Sequence, residues 1–250
     1  MKYAQTQNII QEHKKIRGSD LIQVKLISYP NESELIAKMA GVICYSGENT
    51  FEGIKNSAEM KPEGYLRKIV KNGHMSIIEH NVFVFYVSGI SRSCSHQLVR
   101  KRIASFSQQS QRYVNAENFE YVIPDSIENS IFADKYKEAM KQNLALYQKM
   151  TESGITKEDA RYVLPNSTTT QLIVSMNAHS LVDFFVRRIC TRSQWEIRKL
   201  AEKMLDEVKK VAPIIFKELG AYCDFYGYCP ENDKSCGRSK TIEELKKSSI

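Results

Sequence analysis

Long apolar runs are missing from this sequence. None reaches the roughly 18 residues that a membrane-spanning helix requires. The opening segment, residues 1–20 (MKYAQTQNIIQEHKKIRGSD), is a polar extension without the apolar stretch of a secretory signal. Both absences point to a cytoplasmic protein with no membrane partner. A GxGxxG after a strand and a GxxxxGK[ST] are also missing, which excludes a Rossmann dinucleotide site and a P-loop. Cysteine is sparse: Cys44, Cys94, Cys190, Cys223, Cys229 and Cys236 read as reduced thiols rather than a disulfide framework. The gaps separating Cys223, Cys229 and Cys236 fit no zinc ribbon or finger, and no His lies near them, so no metal site is expected.

One more absence is local. Between Arg92 and Tyr113 (RSCSHQLVRKRIASFSQQSQRY) there is no acidic residue, while Arg92, Arg100, Lys101, Arg102 and Arg112 stand beside His96. A helix begun near Ser91 and closed by Arg100 to Arg102 accounts for some of these cations through its dipole. It leaves Ser105, Ser107, Gln108, Gln109, Ser110, Gln111 and Arg112 without a role. On a loop, their hydroxyls and amides, with backbone N–H groups, converge on phosphate and the edge of a heterocycle. The segment therefore reads as a site for a phosphate-bearing small molecule. Ser110 has no identifiable base, so it is read as a hydrogen-bonding group rather than a nucleophile.

What is present bounds the rest. The 250 residues, 42% of them hydrophobic, suffice for one substantial core, and no linker forces a split. A domain over 21–235 with a polar tail at 236–250 is the simplest division. The net charge of +7 suits nucleic acid, but no motif that reads RNA or DNA appears. The field serves anionic nucleotides and folates equally. A first strand is expected over Leu21–Tyr29, and helices after Pro30 and from Pro62 to a C-terminal Gly73. Further strands are expected over Asn81–Val87 and Thr168–Val174, and a short one at EYVIP. Helices are expected over Ser91–Arg102, Ala133–Glu152, Asn177–Arg188 and Ser193–Leu219.

The motif residues also carry a resemblance. Arg100-Lys101-Arg102, followed after seven residues by Ser110 and then Arg112-Tyr113, is similar to the RHR-x7-S signature of flavin-dependent thymidylate synthases, with Lys101 where the family usually has His. GHMSIIEH (Gly73 to His80) resembles the family's GHxxxxEH segment. ARYVLP (Ala160 to Pro165), MNAHSLVDFF (Met176 to Phe185) and RSQWEIR (Arg192 to Arg198) resemble further blocks in the same order.

The resemblance implies an α/β (α+β) fold: one domain with a central, mostly antiparallel sheet flanked by helices, assembling as a homotetramer with sites shared between subunits. It implies methylation of deoxyuridine monophosphate (dUMP) to dTMP, with 5,10-methylenetetrahydrofolate as carbon donor and FAD, reduced by NADPH, as hydride source. Arg188 aligns with the family's arginine that polarises the pyrimidine. Gln97, Leu98, Val99, Arg100, Gln108, Gln109, Ser110, Gln111, Arg112, Arg161 and Arg188 are the implied dUMP residues. His74, Ser76, Arg100, Lys101, Arg102, Gln108, Asn177, His179 and Asp183 are the implied FAD residues, with His179 and Asp183 where Arg and Asn are frequent. Two readings compete: a basic RNA- or DNA-binding protein using Phe106 and Tyr113 as interleaved aromatics, and a flavoenzyme acting on another nucleotide.

Overall fold

The computed structural model describes residues 21–115 and 120–247. The polar extension of residues 1–20 lies outside them. Strand β1 (Gln23–Ser28) is shorter than its apolar run, because Leu21 and Ile22 are buried ahead of it. Strand β2 (Val82–Ser91) sends Phe83, Phe85 and Val87 to one face, each fully buried. It runs past the expected end at Val87 through Gly89, which has φ +73°. A Cβ there would fall 1.9 Å from the Leu21 carbonyl oxygen, so only glycine fits.

Strand β3 (Ser105–Gln108) and strand β4 (Thr169–Asn177) complete a four-stranded antiparallel sheet in the order β1-β2-β4-β3. Phe85 and Phe106 both stand opposite Val174, which fixes the register of the buried face.

The helices are α1 (Ser33–Ile43), α2 (Phe51–Glu59), α3 (Glu63–Lys71), α4 (Arg92–Leu98), α5 (Asp125–Glu128), α6 (Ala133–Glu152), α7 (Lys157–Ala160), α8 (Ala178–Arg188), α9 (Trp195–Val211), α10 (Pro213–Phe216), α11 (Tyr222–Tyr226) and α12 (Ile242–Lys247). Leu181 and Phe185 of α8 and Ile197, Leu200, Met204 and Val208 of α9 share one core with the inner face of β2 and β4. Phe216 meets Phe83 and Phe185 edge to face, at 5.4 and 6.2 Å between centroids. On the opposite sheet face Val82 and Ile173 remain 46% and 43% exposed.

Several expectations are corrected. Helix α4 stops at Leu98 instead of Arg102, because the chain must turn to enter β3 and three adjacent cations add nothing to a helix of seven residues. Gln108 belongs to a strand rather than a loop. Pro213 lacks an N–H and splits the expected Ser193–Leu219 helix into α9 and α10. Helix α2 went unforeseen; Thr50 caps it by accepting from Gly53 N at 3.1 Å. EYVIP forms only a bridge, Tyr121 to Thr168. The polar tail folds back, with Cys229 N donating to Lys240 O at 2.8 Å and Thr241 buried.

One buried tie positions the site. Glu196, 2% exposed, accepts from Ser91 N and from Ser91 Oγ, both at 2.6 Å. Ser91 Oγ in turn accepts from Cys94 N at 3.0 Å and caps α4. Burial pushes the Glu196 carboxyl above the usual range, and the two Ser91 donors only partly oppose this. A Ser91→Ala change should cost about 2 kcal/mol, through the lost cap and a deprived buried carboxylate, read by urea unfolding. The raised Glu196 value fixes a second sign: its share of stability is fully present below the unfolded carboxyl pKa and is lost as pH rises through the folded one. Glu196→Gln should therefore remove part of the fall in unfolding free energy on going from about pH 4 to pH 7.

Candidate active site

The residues singled out by sequence gather in two groups, one at each end of α4. At its N-terminal end Arg92, half-buried, donates from Nη1 to Gln109 O at 3.5 Å. Burial, and then the charge of Arg161, hold the Arg92 guanidinium below its ordinary pKa. Two guanidinium groups close enough to repel make a place for an anion. Gln108 Nε2 donates to Ser95 Oγ at 3.0 Å and Thr170 Oγ1 at 3.1 Å, and Gln109 N donates to Gln171 O at 2.9 Å. Ser110 Oγ accepts from Arg112 N at 3.2 Å. Arg112 is held by Glu158 at 2.8 Å, and Arg161 Nε donates to Glu158 O at 2.9 Å. A hollow of about 280 Å³ beside this group is lined by Gln109, Gln171, Glu120 and Gly89 among others. Sequence reading did not single out Arg92 as an individual candidate; nothing in its sequence position marks it off from the other cations.

Beyond the C-terminal end of α4 opens a cavity of about 780 Å³ between α8 and the segment that follows α10. Arg187, Arg188, Arg192 and Arg238 line it, together with His179, Asp183, Tyr222 and Tyr226. Asn177 caps α8, its side-chain oxygen accepting from Ser180 N at 2.8 Å. His179 Nδ1 lies 2.6 Å from Glu79 Oε1. Lys101 Nζ reaches Asp183 Oδ2 at 2.6 Å, and Arg187 Nε reaches Asp183 Oδ1 at 2.7 Å. Burial raises the Asp183 carboxyl, but the Lys101 and Arg187 hydrogen bonds and charges outweigh it and leave the group below its usual value.

His74 and Ser76 are exposed at and beside the start of the 3-10 turn Met75–Ile78, whose Met75 lines the same cavity. Arg100 and Arg102 are exposed in the turn after α4, Val99 is 42% exposed, and Gln97 and Gln111 are half-buried. The Leu98 side chain is fully buried in the core, and its carbonyl accepts from Lys101 N. No hydrogen bond or ion pair among the described residues joins Arg112 or Arg161 to Arg188.

A family model described as thymidylate synthase complementing protein matches residues 25–214. The chain belongs to the flavin-dependent thymidylate synthase family. The flavin-dependent thymidylate synthase of Clostridium tetani is 43% identical over 248 residues, covering 92% of this chain and 99% of that protein. That of Pyrococcus furiosus is 42% identical, covering 85% and 91%. A crystal structure of the UMP/dUMP methylase PolB from Streptomyces cacaoi bound with 5-Br dUMP superposes with a TM-score of 0.64 at 26% identity, covering 78% of this chain and 93% of that one.

The family match ends before Tyr222, Tyr226 and Arg238, which form the far wall of the cavity. These too escaped sequence reading, since a cavity wall built after the last motif has no spacing to betray it. The Tyr222 and Tyr226 rings stack with centroids 4.4 Å apart, and a hydrogen bond shared with Tyr228, followed by burial, pushes the Tyr222 phenol up to about 12.

Cys190, Cys223, Cys229 and Cys236 line the same cavity. A Thr191 hydrogen bond, with help from Arg238, holds the Cys236 thiol below its ordinary value. Burial, reinforced by Glu196 and opposed by Arg188, pushes Cys94 far up. Cys44, exposed like Cys236, donates to the Ala40 carbonyl at 3.3 Å. Under limiting iodoacetamide near neutral pH, Cys236 should be alkylated about tenfold faster than Cys44, with Cys94 unmodified until unfolding, as read by peptide mass mapping.

Proposed function

We propose that this family member methylates dUMP to dTMP, taking its carbon from 5,10-methylenetetrahydrofolate, with FAD as the flavin and NADPH as its reductant. The observation that carries the reading is Arg188: the residue to which the resemblance gives the pyrimidine-polarising role lines a large cavity together with three more guanidinium groups. Arg187, Arg192 and Arg238 are engaged by Asp183, Glu231 and Asp224, whereas Arg188 makes no ion pair among the described residues, and the Tyr222 and Tyr226 rings fit a planar heterocycle. No helix among the described residues is long and apolar enough to cross a membrane.

When bound, the flavin supplies the hydride that completes the methyl group. The chain's own residues bind, orient and polarise. Arg92, Arg112 and Arg161 are assigned to the nucleotide phosphate, with Gln108, Gln109, Ser110 and Gln111 around the sugar and base. Arg188 donates to the carbonyl oxygens of the uracil, where negative charge spreads as the ring carbon becomes nucleophilic. A preorganised donor of this kind is commonly worth about 3 to 4 kcal/mol. His74, Ser76, Arg102, Asn177 and His179 are assigned to FAD, with Gln97, Val99 and Arg100 between nucleotide and flavin.

The separation of the two residue groups supports a homotetramer in which neighbouring chains complete each site. Closed symmetry then repeats the composite site identically.

Purified protein should be yellow with a flavin band in the blue; a colourless protein that shifts nucleic acid would favour the competing binding reading. Arg188→Ala should keep that band and lower the rate of dTMP formation by about 100- to 1000-fold. Near-normal turnover in the variant would remove Arg188 from its role.

A further inference from the structure

Lys101 stands in the signature assigned to flavin binding, yet its ammonium is already engaged. It lies 2.6 Å from Asp183 Oδ2, with its side chain 17% exposed. The other carboxylate oxygen, Oδ1, accepts from Arg187 Nε at 2.7 Å. Asp183 thus grips two cations from two different elements: Lys101 in the turn between α4 and β3, and Arg187 one helical turn further along α8. An ionised carboxylate is acceptor-only, so Asp183 cannot bond a flavin phosphate and would repel one. A carboxylate among guanidinium groups, in a cavity read as a site for anions, therefore needs an internal purpose.

We infer that Asp183 is a positioning residue: its carboxylate clamps Lys101 to Arg187, fixes the turn carrying Arg100 and Arg102 against α8, and holds Lys101 away from the flavin phosphates. The inference rests on the flavin-site reading and deepens it. Every charged group facing the clamp fits this account. Of the other cations lining the cavity, Arg192 is paired with Glu231 at 3.2 Å and Arg238 with Asp224 at 2.6 Å, and Arg188, which makes no ion pair among the described residues, is left to meet an anion. His179, on the same helix, is likewise matched by Glu79. Both α8 positions that depart from the family pattern have thus gained a charged partner within the chain. The low-lying Asp183 carboxyl keeps the clamp ionised throughout the neutral range.

The test is a double-mutant cycle in the full-length holoenzyme: Lys101→Met, Asp183→Asn, the double variant, and Lys101→Arg as the conservative control. Flavin affinity is read by fluorescence quenching on reconstitution, and kcat and KM for dUMP by dTMP formation. A clamp predicts that each single variant loses about tenfold in kcat/KM through misplacement of the turn. Flavin affinity should change by less than about threefold, the double variant should be no worse than the poorer single one, and Lys101→Arg should retain most activity. A flavin loss of about tenfold or more in Lys101→Met, absent from Asp183→Asn and simply additive in the double variant, would show Lys101 to be a phosphate ligand and overturn the inference. Wild-type kinetics in all variants would overturn it too. Should the wild-type protein bind no flavin, the functional reading fails. The coupling energy of the same cycle, measured by urea unfolding, then decides the clamp alone, and zero coupling refutes it.

Discussion

The structure depends on a buried carboxylate meeting a helix start. Glu196 lies near the beginning of α9, Ser91 at the junction of β2 and α4, and their two short hydrogen bonds join distant parts of the chain in a region closed to water. Because both Glu196 oxygens are used by one residue, the junction has little freedom to rotate. Several of the candidate ligand residues follow from that junction: Arg92 is the first residue of α4, Gln97 lies on it, and the turn to β3 carries Arg100 to Arg102. Desolvating the carboxylate opposes folding, and the same low dielectric strengthens the Ser91 bonds that hold it. A polar tie in an apolar core is costly to break, and it is directional in a way that packing is not.

The excess of cations, 36 Lys and Arg against 29 Asp and Glu, is deployed unevenly. Around the cavity and the Arg92 group some guanidinium side chains are matched and others are not. Arg112 has Glu158, Arg187 has Asp183 and Arg192 has Glu231. Arg92 faces another guanidinium instead, and Arg188 makes no ion pair among the described residues. Matched cations are held in place by their carboxylates, and an anion meeting Arg112 has to share it with Glu158, whereas Arg188 meets one without competition. A count of charges over the segment 92–113 shows the surplus, but only the positions of Glu158 and Asp183, many residues downstream, show which members of it remain unspent.

That distinction explains what was legible in the sequence. Strands β2 and β4 and helices α6 and α8 could be read because alternation, helical spacing and capping are local. Asn177 before an apolar helix is a cap in sequence and in space. The motif blocks gave the candidate residues by resemblance, and the family match bears out that recognition. The errors are of two kinds. Some were local signals passed over, such as Pro213 inside an apparent long helix and Thr50 ahead of α2. The rest are tertiary: β3 forms because Phe106 finds Val174 across the sheet, and the wall of Tyr222, Tyr226 and Arg238 exists only once the tail folds back.

Helix α4 is seven residues long, about 10 Å at the standard rise. It holds one donor group at each end: Arg92 with Gln109 and Arg161, and Lys101 with Asp183 and the cavity. A single ligand lying along one chain would have to bridge that length across side chains already committed to other partners. Two chains related by a twofold axis face no such constraint, since the donor group of one can be set against the cavity of the other. The outer sheet face, with Val82 and Ile173 uncovered, offers apolar area for that approach, and burying such area is what drives most chains together. A pairing of chains that set the donor group of one against the cavity of the other would shorten that span, which is the arrangement the proposed shared site requires.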